Sequence, residues 1–196
     1  MIFYTSDLHL GHARLVECGF RKFTDSEMMD DFIINMINLR CQKEDKLYIL
    51  GDLSMSHHYE DIAYWLKQIK CQIFVIQGNH DSRKVLDRLK EENIICNWYP
   101  WKIIEDENYI IEGRPFVVAL HHHPVIDYHS SRRADCCFHG HSHGLNPRRF
   151  SDLHDVGVDC CRFMPMTAKE ILGIDDVSKE VMDEVEKFNK STGLNL

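Results

Sequence analysis

Residues 2–9 read Ile-Phe-Tyr-Thr-Ser-Asp-Leu-His, a short run rich in β-branched and aromatic residues that leads into a carboxylate and an imidazole. The run from Ile2 to Ser6 is too short for a helix, and its composition predicts a buried strand. Asp7 and His9 then stand directly beyond the carboxyl end of that strand. This combination of a strand with a polar end recurs along the chain and decides the fold.

Four further apolar runs are each followed by polar side chains. The runs are Leu47–Leu50, Gln72–Ile76, Phe116–Leu120 and Asp135–Phe138, and the segments that follow them are Gly51-Asp52, Gly78-Asn79-His80-Asp81, His121-His122-His123 and Gly140-His141-Ser142-His143. Ligands of open α/β sheets bind beyond the carboxyl ends of the strands, so we expect the five polar ends to converge on one site. Carboxylate, imidazole and amide groups without thiolate are typical ligands of divalent Mn, Fe or Zn.

The segments between the first three runs predict helices. Asp25–Arg40 and Tyr59–Lys70 have helical periodicity, and strand–helix alternation indicates an α/β sheet. Residues 112–115 (Glu-Gly-Arg-Pro) lie between the apolar run Tyr109–Ile111 and the next one, which predicts a hairpin and therefore antiparallel strands in the second half. Thr167–Glu170 matches a capping box for a short helix, and Asp176–Asn189 is typical of a solvated terminal helix.

Composition limits the kind of protein. The chain has 196 residues, 44% hydrophobic and 28% charged, which is typical of one globular domain. We place this domain at residues 1–175 and a C-terminal helix and tail at 176–196. A formal net charge of -8 disfavours a nucleic-acid polymer or an anionic membrane as partner, and the oligomeric state is left open.

The cysteines and the first residues bear on the compartment. Eight cysteines are present without a CxxC pair, which favours reduced thiols that act as small buried hydrophobic residues. The chain has neither a signal-like start nor an apolar run long enough for a membrane span. A cytoplasmic protein is therefore expected.

In this order the motifs resemble those of the calcineurin-like metallophosphoesterase superfamily: Asp-x-His, Gly-Asp, Gly-Asn-His followed by an acid, then His, then Gly-His-x-His. The match spans residues 7–143. The resemblance implies a small, cap-free, bacterial-type member, with a four-layer α/β/β/α sandwich of two mixed sheets and a two-metal site at the strand ends. The implied cofactors are two divalent ions, Mn²⁺ foremost, with Fe, Zn, Ni and Co as alternatives.

The resemblance also implies a ligand for each position of the site. One metal would be held by Asp7, His9 and His143, the other by Asn79, His141 and one of the three adjacent histidines, with Asp52 bridging both. The related pattern His-x-Pro favours His122, two residues before Pro124, whereas counting from the end of the apolar run selects His121. With His122 as ligand, His123 is expected to point away from the metal as a packing or rim residue.

Further residues are expected to handle the substrate. In the related enzymes the residue that matches His80 lies near the phosphoryl group, where an imidazole can stabilise charge or protonate the leaving oxygen. Asp81 would orient His80 through its other ring nitrogen. His12, Arg14 and His121 are the candidate substrate contacts. Two arginine pairs near the last motif are interpreted as solvated surface residues: Arg132-Arg133 and Arg148-Arg149.

Differences from the motifs of other branches of the superfamily limit the expected substrates. Residues 53–55 (Leu-Ser-Met) replace the Asp-Arg-Gly of the phosphoprotein phosphatases, and His80 stands where lipid-precursor pyrophosphatases have Arg. The remaining expectation is hydrolysis of small phosphodiesters or phosphomonoesters, nucleotides among them, by a metal-bridging hydroxide. The alternative is a catalytically silent member that serves as a scaffold for protein–protein binding. The complete set of ligand positions, together with His80, favours the enzyme.

Overall fold

The computed structural model describes residues 1–125, 134–145 and 151–194. The strands are β1 (Ile2–Thr5), β2 (Lys46–Ile49), β3 (Gln72–Ile76), β4 (Asn97–Tyr99), β5 (Lys102–Ile111), β6 (Arg114–Leu120), β7 (Cys136–His139) and β8 (Leu153–Asp155). The helices are α1 (Ala13–Glu17), α2 (Ser26–Arg40), α3 (Tyr59–Leu66), α4 (Arg83–Glu91), α5 (Ala168–Ile171) and α6 (Lys179–Thr192). Strands and helices thus alternate in the first half, as the sequence predicts.

The first sheet has the order β1-β2-β3-β4, and its strands are parallel. Successive side chains of a strand point to opposite faces. Phe3 and Leu47 accordingly pack on the helices α2, α3 and α4, whereas Tyr4 and Tyr48 pack on the second sheet. An isolated antiparallel bridge joins Tyr4 to Met166 beside the sheet. Burial on both faces explains why these strands read as nearly continuous apolar runs.

The second sheet has the order β5-β6-β7-β8 and is mixed. Its first two strands are antiparallel and joined by a turn at residues 112–113, as the hairpin pattern predicts. The pairs β6–β7 and β7–β8 are parallel. Phe116, Leu120 and Phe138 of this sheet meet Tyr4 and Leu50 of the first in one buried cluster. The prediction of two sheets with flanking helices is confirmed. The expected mixed topology holds for the second sheet, whereas the four strands of the first sheet are parallel.

The helix boundaries follow local signals. The Asp25 side chain accepts a hydrogen bond from the Met28 backbone N–H at 2.8 Å, so α2 begins where its cap predicts. Thr167 and Glu170 form the predicted capping box of α5. Helix α3 ends at Leu66, earlier than the predicted Lys70. No helix of the described ranges is long and apolar enough to cross a membrane.

The sequence analysis missed four elements: α1, α4, β4 and β8. Helix α1 buries none of its five residues, and α4 buries two, Leu86 and Leu89, on an otherwise charged segment. Strands β4 and β8 have three residues each. Strands of three residues and a helix of five are too short for a periodicity to appear, and α4 has its apolar positions within only nine residues.

The cysteines are less uniformly buried than predicted. Five of them are buried, but Cys18, Cys96 and Cys160 are exposed. Burial raises the pKa of the Cys160 thiol although the residue as a whole is exposed. The description as small hydrophobic residues therefore fits the five buried cysteines.

Helix α6 packs onto the same core as the first sheet. Val185 is buried in that cluster, and the Phe188 ring lies 4.2 Å from the Phe32 ring of α2, measured between centroids. Val181 and Met182 pack against the cluster from the preceding turn. The boundary between residues 175 and 176 stays a prediction.

Replacing Val185 with Ala should lower the free energy of unfolding by about 2 kcal/mol, because two buried methyl groups are lost and a cavity remains. Asp183→Ala, on the exposed side of the same helix, should change it by less than about 0.5 kcal/mol. Urea unfolding of both variants measures the difference. Equal effects would mean that α6 does not contribute its apolar side to the core.

Candidate metal centre

The structure brings the polar strand ends of both sheets together. Asp7 follows β1, Asp52 follows β2, and His122 follows β6, each just beyond the carboxyl end. Backbone hydrogen bonds tie these turns to one another: Asp7 N–H donates to the Gly51 carbonyl at 3.0 Å, and His9 N–H donates to the Asp52 carbonyl at 3.0 Å. The convergence expected from the strand-end positions is therefore present in the fold.

Asp7, His9 and His143 form what we call the first ligand group. Potential ligand atoms of the three residues all lie within 4.8 Å of one another. Asp7 Oδ1 is 3.9 Å from His9 Nε2 and 3.8 Å from His143 Nε2. The two imidazole rings stack with centroids 5.1 Å apart. One carboxylate oxygen thus faces two imidazole nitrogens, an arrangement that suits a divalent cation.

The second ligand group consists of Asn79, His122, His123 and His141. His122 Nδ1 donates to the Leu50 carbonyl at 2.7 Å, which directs Nε2 toward the other residues of the group. His122 Nε2 lies 2.8 Å from Asn79 Oδ1. A nitrogen and an oxygen at this separation can both reach one cation. These residues therefore fit the metal that the ligand pattern implies.

His122 rather than His121 lies in the site. Along β6, Leu120 and Val118 point into the cluster between the sheets, and His122 continues that face. The His121 ring instead stacks on Trp101, with centroids 5.7 Å apart and planes at 3°. Because side chains alternate along the strand, His121 lies on the opposite face from His122. Its expected role as a substrate contact stays a prediction.

The expected orientation of His123 is wrong. Its ring does not point away but lies 4.2 Å from the His141 ring and 4.9 Å from the His122 ring, measured between centroids. The three histidines bring one ligand atom each within 4.8 Å of the others. His122 is still paired with the segment that follows β7, since its carbonyl accepts the Gly140 N–H at 2.9 Å. Beyond His122 the alternation of the strand no longer sets the direction of His123.

Asp52 lies between the two groups. Its Oδ2 is 3.7 Å from His9 Nε2 and 3.5 Å from His122 Nε2, one imidazole from each group. Its Oδ1 accepts the His80 backbone N–H at 3.0 Å, which fixes the plane of the carboxylate. Asp7, Asp52 and His122 also bring ligand atoms within 4.8 Å of one another. Asp52 is therefore the residue that lies close to imidazole nitrogens of both ligand groups.

Five of these residues have a left-handed backbone, with positive φ: Asp7, His9, Asp52, His141 and His143. Such a conformation is uncommon for residues other than glycine, although Asp and His adopt it more readily than most. Each instance is stored strain that the surrounding structure must offset, and such strain clusters at functional sites. The sharp turns direct these side chains back across the ends of the strands.

Burial shifts the pKa values of two residues of the first ligand group. Asp7 and Asp52 are 0% and 2% exposed. Burial raises the pKa of Asp7, which means that the carboxylate lacks a sufficient positive partner within the protein. Burial, with the Arg21 and His143 charges, lowers the pKa of His9 to about 2, so its ring is neutral and free to bind a metal.

Two glycines allow the carboxylates this close an approach. A Cβ at Gly78 would lie 2.2 Å from Asp52 Oδ1, and a Cβ at Gly140 would lie 2.3 Å from Asp7 Oδ2. Any side chain at either position would displace a carboxylate. The glycines of the Gly-Asn-His and Gly-His-x-His segments are thus required by the packing of the site.

Asp81 does not orient the His80 ring as expected. Its carboxylate accepts backbone N–H groups of Gly78 at 2.8 Å, Asp52 at 2.9 Å and Leu53 at 3.0 Å. These bonds join the turns after β2 and β3. Asp81 therefore sets the position of the Asp52 turn, because its oxygens are directed at backbone donors rather than at the imidazole.

The predicted substrate segment lies beside the first ligand group. The His12 ring is 5.5 Å from the His9 ring, and Arg14 is exposed on α1. Gly11 N–H donates to both carboxylate oxygens of Asp30 at 3.0 and 2.9 Å, so α2 holds the segment in place. Residues 132–133 and 148–149, the two arginine pairs, lie outside the described residues.

Sequence reasoning missed Arg21 and Asp159. Arg21 is buried and donates to the Asp7 carbonyl, and Asp159 contacts the His143 ring. Neither belongs to a motif. One signal for Asp159 was available in the sequence. It follows the short apolar run Val156–Val158, just as Asp7 and Asp52 follow apolar runs.

Comparison with known proteins decides the family. The sequence model of the calcineurin-like phosphoesterases matches residues 1–145, well over half of the chain. The chain belongs to the calcineurin-like phosphoesterase family. This family consists of metal-dependent phosphoesterases, in agreement with the two ligand groups.

Two individual proteins and one solved structure are similar to this phosphoesterase. An uncharacterized protein of Methanocaldococcus jannaschii is 30% identical over 62% of this chain and 69% of its own. A probable cyclic nucleotide phosphodiesterase of Coxiella burnetii is 31% identical over 46% of this chain, which is 35% of its own length. The crystal structure of an Aquifex aeolicus protein of unknown function superposes with a TM-score of 0.68 at 21% identity, covering 89% of this chain and 99% of that one. The last comparison shows the shared fold.

The substitution Asp30→Asn should raise the free energy of unfolding more at pH 8 than at pH 4. Burial raises the pKa of Asp30 to about 7, against an unfolded value of about 3.9. Between these pH values the folded chain keeps a proton that the unfolded chain has lost, so wild-type stability falls as pH rises. The variant cannot ionise, and its advantage should grow by on the order of 2 to 4 kcal/mol from pH 4 to pH 8.

Urea unfolding of both proteins at several pH values measures this difference. Asp176→Asn, an exposed aspartate outside α2, serves as the control, and its difference from wild type should vary less with pH than that of Asp30→Asn. A flat difference for Asp30→Asn would show that Asp30 ionises normally in the folded state.

Proposed function

We propose that this phosphoesterase hydrolyses small phosphodiesters or phosphomonoesters with two divalent cations, Mn²⁺ foremost. The observation that carries the proposal is the position of Asp52 Oδ2, 3.7 Å from an imidazole of the first ligand group and 3.5 Å from one of the second. A shared carboxylate of this kind belongs to a pair of neighbouring metal sites. Bound cations would lower the pKa of a water molecule and neutralise charge on the phosphoryl oxygens.

Each cation would be bound by one of the two ligand groups. The first ligand group would hold one cation, the second group the other, and Asp52 would contact both. His123 is an additional donor for the second cation, because its ring lies against His141. We place the catalytic domain at residues 1–175 and regard residues 176–196 as a C-terminal helix and tail.

His80 is the proposed proton donor. Its side chain is 39% exposed, its ring lies 5.7 Å from the His9 ring, and its Nε2 is 3.9 Å from Asp52 Oδ2. The ring is therefore at the mouth of the site, and its exposure leaves room for a substrate. An imidazole there can donate a proton to the leaving oxygen.

Phosphodiesters, nucleotides among them, are the favoured substrate class. The Coxiella burnetii relative bears the name of a cyclic nucleotide phosphodiesterase, which supports this assignment. His12 and the exposed Arg14 flank the first ligand group on the side of α1 and can donate hydrogen bonds to a phosphate.

Metal-free protein should hydrolyse a chromogenic phosphodiester or phosphomonoester only after addition of Mn²⁺. Asp52→Asn should abolish this turnover, since the variant loses the anionic oxygen that faces both groups. Release of the chromophore and the bound Mn²⁺ per chain are the measurements. Two bound Mn²⁺ per chain with no turnover of either ester would contradict the enzyme and favour the protein-binding scaffold.

His80→Ala should lower kcat on the order of 10²- to 10⁴-fold while leaving the bound Mn²⁺ per chain unchanged, because the ring donates a proton without belonging to a ligand group. His57→Ala is a suitable control, as His57 is also an exposed histidine beyond a strand end. Full activity of the His80 variant would remove His80 from the reaction.

A further inference from the structure

Arg21 is fully buried and donates to the turn that carries Asp7 and His9. Its Nη1 donates to the Leu8 carbonyl at 2.7 Å, and its Nη2 donates to the Asp7 carbonyl at 2.7 Å. Asp7 and His9 both have positive φ, so the turn is strained. Two charge-assisted hydrogen bonds to its carbonyls offset part of that strain and hold the turn in one shape.

The same guanidinium forms a two-pronged ion pair with Asp159. Arg21 Nε donates to Asp159 Oδ1 at 2.9 Å, and Nη2 donates to Oδ2 at 2.8 Å. Asp159 Oδ2 in turn lies 2.7 Å from His143 Nδ1. The carboxylate is therefore an acceptor for the Nδ1 proton of His143.

This hydrogen bond determines which nitrogen of His143 can bind a metal. With the proton at Nδ1, the lone pair is at Nε2, which lies 3.8 Å from Asp7 Oδ1. Arg21 Nη2 contacts both the Asp7 carbonyl and Asp159 Oδ2, so a single guanidinium sets Asp7 and His143 relative to each other.

We propose that Arg21 and Asp159 are positioning residues that set the first ligand group for its cation. The inference rests on the proposed function in one respect, that this group binds a divalent cation. The second ligand group is held differently, because His122 Nδ1 donates to the backbone carbonyl of Leu50. Loss of Asp159 should therefore weaken one cation site and leave the other intact.

The test uses Mn²⁺ titration of the full chain by calorimetry, in two backgrounds. His141→Ala removes a ligand of the second group, so that binding reports the first, and His143→Ala does the converse. Asp159→Asn should weaken Mn²⁺ binding 10- to 100-fold in the His141→Ala background and leave it unchanged in the His143→Ala background.

A buried ion pair elsewhere in the chain provides the matched control. Arg40 and Glu170 form an ion pair whose side chains are also largely buried. Arg40 ends α2 and Glu170 lies in α5, so the pair is not part of the turns that carry the ligand groups. Glu170→Gln should cost stability, read from thermal unfolding, without changing Mn²⁺ affinity. Arg21→Lys, which keeps the charge but cannot bridge the Asp7 carbonyl and Asp159 together, should repeat the selective loss and replaces Asp159→Asn if that variant fails to fold.

The outcomes separate this inference from the proposed function. Equal weakening in both backgrounds, or unchanged Mn²⁺ affinity in the first, would overturn the positioning role alone. A wild-type protein that binds no Mn²⁺ would overturn the proposed function and this inference together. Loss of affinity in Glu170→Gln as large as in Asp159→Asn would assign the effect to general destabilisation.

Discussion

Two buried carboxylates that approach each other are the constraint on which the rest of the structure depends. Asp7 and Asp52 bring oxygen atoms within 4.8 Å of one another and are almost completely buried. Like charges at this distance in a medium of low polarity repel strongly unless cations lie between them. The His9 imidazole, with its pKa lowered to about 2, is a neutral ligand rather than a counter-charge. The two carboxylates therefore call for positive charge, which metal ions can supply.

The fold provides this arrangement through strand ends. Parallel strands of the first sheet deliver Asp7, Asp52 and Asn79 to one edge, and the parallel pair β6–β7 delivers His122 and His141 from the second. Left-handed turns and close glycine contacts then direct the side chains inward. The apolar faces that pack the two sheets together thus also bring the two halves of the site together.

Much of the candidate site could be predicted from the sequence because each strand leads straight into its polar residues. What could not be predicted was the direction of side chains beyond the strand ends. His121 is on the far face of its strand, His123 turns toward His141, and Asp81 is engaged by backbone donors of two turns. Arg21 and Asp159 are distant in sequence and meet through tertiary contacts, so no local pattern marks them.

The amino-acid sequence by itself determined the α/β class, the hairpin at residues 112–113 and the residue types at the strand ends, because these depend on local periodicity and turn chemistry. Only the tertiary structure decided which imidazole nitrogen faces which carboxylate, that Asp52 lies between the two ligand groups, and that Arg21 links Asp7 to His143. These features are distances between segments far apart in the chain, and packing of the two sheets sets them.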